Sequence, residues 1–228
     1  MHNEMLHHPA IPAPLRDFLR THGQPLPEPL AAIEAAAHAG DVPIIPHETV
    51  DFFHTWFNQV HPTSVLELGT AIGFSALLFA HLMGVAGQVT TIERAPVMIA
   101  HAQDNLAAYD TTHQITLRAG DAADILPTLT AQYDVAFMDS AKAQYIHQLP
   151  LVLDRVKVGG TVFIDDVLQG GTVFLPEKEI PHRLKGIHRN LRALLEGVFA
   201  APGLTATVIP LGDGLLMLTK DQAQHFSF

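Results

Sequence analysis

From residue 64 onward, short apolar runs rich in strand-forming residues alternate with longer segments whose apolar positions recur every three or four residues. The runs predict strands at 64–68 (SVLEL), 88–92 (QVTTI), 114–118 (QITLR), 133–138 (YDVAFM) and 161–165 (TVFID). The segments between and after them predict helices near 73–84, 95–108, 121–128, 142–156 and 182–199. Before residue 64 only helical patterns occur, over 13–22 (Pro14 early, Gly23 after), 28–39 (Gly40 after) and 46–60. Proline is dense before residue 50 and thin afterwards. The chain closes on LTATVIPLGDGLLMLTK, two apolar runs around a Gly-Asp-Gly turn, which predicts an antiparallel hairpin.

Strand and helix in alternation imply a doubly wound α/β fold: a mostly parallel sheet with an antiparallel C-terminal hairpin and additional N-terminal helices. The expected organisation is a helical extension over residues 1–45 and one α/β domain over 46–228.

Composition narrows the class. Of 228 residues, 48% are hydrophobic, enough for a packed core, and the formal net charge of −10 disfavours nucleic-acid binding by the whole surface while leaving room for a local basic patch. With no cysteine, disulfides, thiolate nucleophiles and Cys-ligated zinc are excluded. The N-terminus lacks a basic and an apolar region of secretory type. The longest apolar stretch, SALLFAHLMGVAG, is too short for a membrane span and carries a histidine. A cytoplasmic protein is expected. His2, His7 and His8 read as solvated tail residues, and His47, His54 and His61, spaced by seven, lack the i, i+4 geometry of a helical metal chelate.

In open α/β sheets ligands bind beyond the carboxyl ends of the strands. Here every predicted parallel strand ends in or next to an acid: Glu67 with Gly69, Glu93, Gly120 with Asp121, Asp139, and the pair Asp165 and Asp166. The first turn spaces its glycines, Gly69 and Gly73, as G-x-x-x-G, not as the G-x-G-x-x-G of a dinucleotide site, so close approach to a pyrophosphate is not built in. The helix start at Gly73, Phe74 and Ser75 still offers N–H groups to a carboxylate. Glu93 follows at about the distance where an acid binds a ribose diol. An adenosine cofactor with a carboxylate and no phosphate is S-adenosylmethionine, and Glu67 adds to a field that suits its sulfonium. Asp121 or the backbone of Ala122 faces the adenine; Asp121 also reads as a helix N-cap, and one role does not preclude the other.

Asp139, Asp165 and Asp166, from the ends of neighbouring strands, form a hard oxygen set suited to Mg²⁺, or to Mn²⁺ or Ca²⁺. The competing reading is that one aspartate caps a helix and another pairs with Lys142. Lys142, three residues after Asp139, is either a general base beside a bound cation or a neutralising partner of Asp139.

Taken together, VLELGTAIGFSA, the acid of TTIERA, GDAADIL, MDSAKAQY with its D-x-x-K-x-x-Y pattern, FIDDVLQGG and PLGDGLLMLTK resemble the cation-dependent class I O-methyltransferases, the catechol and caffeoyl-CoA group with its small bacterial members. The likeness runs from about residue 40 to the C-terminus. It implies a seven-stranded sheet with the last strand antiparallel, metal ligands Asp139, Asp165 and Asp166, catalytic Lys142, and cofactor contacts at Glu67, Gly69, Ser75, Glu93 and Asp139. Many members carry Asp-Asn where this chain has Asp165-Asp166, a change that tightens metal binding or alters the preferred ion. The implied reaction is direct methyl transfer to an acidic hydroxyl, with Lys142 taking the proton, and the expected assembly is a homodimer.

The acceptor is open between a small phenol or catechol and tRNA, since some bacterial members methylate 5-hydroxyuridine at the wobble position. Tyr145, Arg189 and Arg192 are expected on the acceptor side. The helix after the acid loop should bury Leu184, Ile187, Leu191, Leu194 and Val198, leaving Lys185, Arg189 and Arg192 on the opposite face. With Lys178 and Arg183 these are five of the chain's 13 Lys and Arg, and they form either a solvated face or a phosphate-contacting strip. An NAD-dependent dehydrogenase is a remote alternative that gives no reason for the three aspartates.

Overall fold

The computed structural model describes residues 11–228; of these, Ala13–Ala122 form one compact unit and Ala123–Phe228, with Ile11 and Pro12, a second. His2, His7 and His8 lie outside the described residues. Seven strands make one mostly parallel sheet: β3-β2-β1 come from the first unit and β4-β5-β7-β6 from the second.

In the first unit, α1 (Ala13–His22), α2 (Leu30–Ala39) and α3 (His47–Val60) precede β1 (Ser64–Leu68), α4 (Phe74–Met83), β2 (Gln88–Glu93), α5 (Pro96–Tyr109) and β3 (Ile115–Ala119). These helices and strands match the expected ones to within two residues. α4 is apolar all round, and every residue from Phe74 to Ala80 is buried, so it is a core helix and not an amphipathic one. Its Phe79 stacks on Phe57 at 5.5 Å and meets Phe53 edge-on at 5.2 Å, which locks α3 to α4. Arg20 of α1 holds the buried Glu48 of α3 through two hydrogen bonds of 2.8 and 3.3 Å. Of the three histidines spaced by seven, His47 bridges Glu34 and the Gln24 carbonyl, His54 is exposed, and His61 caps α3 in a left-handed conformation.

The second unit contains α6 (Ala122–Ile125, its first residue in the first unit), β4 (Tyr133–Met138), α7 (Tyr145–Leu153), β5 (Val156–Ile164), α8 (Lys185–Ala200), β6 (Leu204–Ile209) and β7 (Leu215–Lys220). β4 and β5 are buried along most of their length, as parallel strands covered on both faces must be. β5 begins five residues earlier than predicted. Pro150 and the following turn end α7 at Leu153, and Val156 pairs with Tyr133 before the register shifts to Val135–Thr161, so Lys157–Gly160 bulge out. Lys220, buried at the end of β7, seals this corner by donating to the carbonyls of Leu153 and Val156 at 2.7 and 3.1 Å.

One further expectation fails. Leu184 and Ile187 are only partly buried; the buried face of α8 is His188, Leu191, Leu194, Leu195 and Val198. A 3₁₀ turn over His182–Leu184 precedes the helix and leaves Leu184 at its N-cap, so the stripe starts later and rotates. His188 is admitted to the core because its Nε2–H donates to the Leu175 carbonyl at 3.1 Å.

Truncating the shared ring of the aromatic cluster should be costly. Phe79→Ala should lower unfolding free energy in urea by about 3–5 kcal/mol, the range for deleting a buried aromatic side chain.

Candidate active site

In the first unit, β1 stops at Leu68 and the chain turns through Gly69–Gly73 into α4. The turn is closed by the Gly73 N–H donating to the Thr70 carbonyl at 2.7 Å, and by the Asn105 side-chain amide donating to the Ile72 carbonyl at 2.8 Å. Gly73 has φ +87°, while an added Cβ would meet Leu106 and Ala102 only at 3.6–3.8 Å, so the backbone conformation, not crowding, calls for glycine. Ala71 is also left-handed, at φ +46°. Ser75 lies buried in the first turn of α4.

Two carboxylates flank this turn. Glu67 is fully buried, and its Oε2 accepts the Thr91 hydroxyl at 2.5 Å. Because Thr91 spends its only proton there, the 2.5 Å contact between Thr70 and Thr91 has Thr70 as donor. Glu93, at the end of β2, accepts three backbone N–H groups: Arg94 and Ala95 on Oε1, both at 2.8 Å, and Ala71 on Oε2 at 3.1 Å. One side chain thus fixes both the Gly69–Gly73 turn and the start of α5, and a carboxylate's four acceptor positions leave room for a further donor. An adenosine-bearing cofactor fits such a fixed acceptor. Asp121 sits just before α6 and pairs with Arg94 at 3.2 Å on an exposed surface, while Ala122 is buried.

In the second unit, β4 delivers Asp139 and β5 delivers Asp165 and Asp166. The Asp165 N–H donates to the Met138 carbonyl at 3.0 Å, which ties the two strand ends together, and Asp165 Oδ1 accepts the Asp166 N–H at 2.9 Å. Asp166 is left-handed, at φ +60°. Lys142 Nζ lies 2.7 Å from Asp166 Oδ2 and 3.9 Å from Asp213 Oδ2. So Lys142 partners Asp166 rather than Asp139. Tyr145 is buried, its hydroxyl donating to the Ser140 carbonyl at 3.3 Å.

The electrostatics are those of an overcharged site. Burial, and then the Asp166 carboxylate, push Asp139 up to about 7 although Lys142 pulls the other way. Asp165 is raised well above the usual range by burial, then by Asp166 and Asp139. Tyr145 is raised by burial and by the same three aspartates. Among the described residues no group of three or more His, Cys, Asp or Glu side chains is drawn together as a metal-ligand set. The donors nevertheless suit a hard divalent cation: they are all carboxylates, and one ammonium opposes their charge.

Asp213 escaped the sequence reading, which took Gly-Asp-Gly only as a turn. β7 runs antiparallel to β5 with Leu216 opposite Ile164, so the start of β7 meets the end of β5. Asp213 Oδ1 there accepts the Gly170 N–H at 2.5 Å, and burial raises its carboxyl to about 6. An acid at the start of an antiparallel neighbour belongs to the same edge as acids at the ends of parallel strands, and that signal could have found it. Glu93's backbone role and Asn105 carried no such signal.

Arg189 and Arg192, expected on the acceptor side, are exposed. Arg189 lies 3.9 Å from Glu177, and Arg192 is bonded to Glu196 at 2.9 Å. α8 reaches the Lys142 turn through Asn190, which donates to the Ala143 carbonyl at 2.8 Å. No helix among the described residues is long and apolar enough to cross a membrane.

A seven-stranded, mostly parallel sheet ending in an antiparallel pair, with acids and a fixed Gly-bearing turn at its strand ends, defines a class I methyltransferase. The O-methyltransferase family model matches residues 30–221, and the chain belongs to this family, in its caffeoyl-CoA and catechol group. It is an S-adenosylmethionine-dependent O-methyltransferase. A catechol O-methyltransferase of Niastella koreensis is 30% identical over 166 residues, 70% of this chain and 74% of the relative. A caffeoyl-CoA O-methyltransferase of Stellaria longipes is 30% identical over 164 residues, 68% and 67% of the two chains. Among solved structures, cofactor-bound Rv0187 from MTB superposes with a TM-score of 0.80 at 25% identity, covering 93% of this chain and 98% of that one.

Two outcomes follow. Glu93→Ala strands three backbone donors, so it should lower stability without any ligand by about 1–3 kcal/mol and also weaken S-adenosylmethionine binding, read by denaturation and calorimetry. The raised aspartates set a pH dependence. Asp139 in the folded protein holds a proton between its ordinary 3.8 and about 7, a range in which the unfolded chain has released it. Its contribution is therefore complete below 3.8 and lost as pH rises through about 7, and Asp165 acts in the same direction. The thermal midpoint of chelator-treated protein should fall as pH rises from about 5 to about 8, and Mg²⁺ should flatten the decline.

Proposed function

We propose that this O-methyltransferase moves the methyl group of S-adenosylmethionine to a phenol- or catechol-like hydroxyl, with a divalent cation held by Asp139, Asp165 and Asp166. The observation that carries the reading is the charge imbalance: three aspartates around one lysine, with Asp139 and Asp165 both raised. When bound, such a cation acts as a Lewis acid toward the acceptor hydroxyl.

The chain's own residues do the rest. The hydroxyl oxygen attacks the methyl carbon, the C–S bond breaks, and the sulfonium becomes a neutral thioether. The hydroxyl proton goes to Lys142 Nζ. To receive it Lys142 must be neutral, so its 2.7 Å pair with Asp166 has to part first. Tyr145, buried beside these groups and kept protonated, holds the turn after Asp139 by donating to the Ser140 carbonyl. In the first unit, Glu93 accepts from the ribose, the turn at Gly69–Gly73 and the start of α4 at Ser75 receive the amino-acid end, and Glu67 contributes negative charge toward the sulfonium.

A small acceptor is favoured over tRNA by the pairing of Arg189 with Glu177 and of Arg192 with Glu196, which leaves the basic strip partly neutralised. Membership of the O-methyltransferase family leaves the dehydrogenase alternative without support.

Excess chelator should abolish transfer and Mg²⁺ should restore it; full activity in chelator would remove the cation from the scheme. Lys142→Met should lower kcat by about 10²–10⁴ with cofactor affinity unchanged, the range for losing a general base. Methyl-transfer assays on small catechols and on bulk tRNA, repeated with Arg189→Glu/Arg192→Glu, decide the acceptor. Selective loss on tRNA would overturn the small-acceptor reading.

A further inference from the structure

The charge balance around Lys142 includes a fourth carboxylate, Asp213, that the methyl-transfer scheme does not use. It is 8% exposed and tightly placed. Oδ1 accepts the Gly170 N–H at 2.5 Å, and the backbone beside it is pinned to the acid loop, with the Val167 N–H donating to the Gly214 carbonyl at 3.0 Å and the Leu168 N–H to the Asp213 carbonyl at 2.9 Å. Gly214 has φ +91°, and any side chain there would run into Leu168. The hairpin turn and the loop after Asp166 are therefore one fixed piece.

Asp213 Oδ2, in contrast, has no hydrogen-bond donor, and the nearest cation is Lys142 Nζ at 3.9 Å, which is at present bonded to Asp166 at 2.7 Å. A buried carboxylate oxygen left without a donor is costly unless a partner reaches it in some working state. Lys142 lies within a rotamer change of both acids: its stem is long, and moving Nζ from hydrogen-bond contact with Asp166 to the same contact with Asp213 is a shift of little more than an ångström along the 3.9 Å approach.

We infer that Asp213 is a positioning residue, a second seat for the Lys142 ammonium that frees Asp166 to ligate a divalent cation. The inference rests on the cation reading above. With Asp166 as the only seat, Lys142 and the cation compete for the same oxygen. With Asp213 available, the ammonium steps aside from the cation's oxygen, and it still has to give up its proton before it can take one from the acceptor.

The test is Mn²⁺ binding to the chelator-treated full-length protein, measured by calorimetry with no acceptor or turnover, in wild type, Asp213→Asn, Lys142→Met and the double variant. Asp213→Asn keeps an oxygen for the Gly170 N–H, and its fold is checked by thermal melting. It should weaken Mn²⁺ binding about tenfold, while Lys142→Met tightens it, and in the Lys142→Met background Asp213→Asn should have almost no effect, the coupling expected of groups acting through a shared partner. An equal loss in both backgrounds would show that Asp213 acts only as distant charge and would overturn the inference, as would no loss in either. Lys142→Met that fails to tighten binding overturns it as well, and that result does not depend on how Asp213→Asn folds. Wild type that does not bind Mn²⁺ removes the cation reading and this inference together, whereas wild type that binds and an Asp213→Asn that binds equally well removes the inference alone.

Discussion

Repulsion among carboxylates that the strands of the second unit drive to one edge governs the rest of this structure. Burial and the neighbouring Asp166 carboxylate push both Asp139 and Asp165 up, against the pull of the one lysine opposite them. A protein selected only for stability would replace such a cluster with apolar side chains. Its persistence at the ends of two core strands is intelligible if charge of the opposite sign arrives during function.

The surrounding fold serves to keep that conflict in place. β4 and β5 are buried over most of their length, so their ends cannot splay to relax the acids. The Asp165 N–H on the Met138 carbonyl and the Asp166 N–H on Asp165 fix the backbone. The β7 turn closes the loop from the other side, and Lys220 holds the far corner of α7 and β5 from within the core. The first unit follows the same logic with a different result. Glu93 is also a strand-end acid, but three backbone donors satisfy it, so it organises the turns around it.

Much of this was legible in the sequence because it rests on local rules. Strand runs, helix periodicity and the G-D-G hairpin gave the element order, and acids after each strand marked the edge where chemistry takes place. What could not be read were relations set by tertiary registration. Whether Lys142 faces Asp139 or Asp166 depends on the left-handed turn at Asp166. The membership of Asp213 in the site depends on Leu216 pairing with Ile164. The rotated face of α8 depends on a 3₁₀ turn that delays the helix and on a carbonyl, Leu175, that makes a buried His188 acceptable. Helical spacing alone favours leucine at that face and has no means of anticipating the acceptor.

The same registration explains how the C-terminal hairpin brings an acid beside Lys142. Parallel strands can present only their carboxyl ends to a ligand edge, and every such end here already bears an acid or a glycine turn. Among strands, only an antiparallel one can approach that edge with its amino end, and here its turn is bonded both to β6, through the Leu211 N–H on the Ile209 carbonyl, and to the neighbouring loop, through the Val167 and Leu168 N–H groups. Asp213 therefore enters from a direction from which no βα turn can deliver a side chain, rigidly placed by Gly214 and the Gly170 N–H and with one oxygen still to be satisfied. Placed in this way, the carboxylate flanks Lys142 along with Asp166, and the repulsion from Asp166 that raises Asp139 and Asp165 reaches it too.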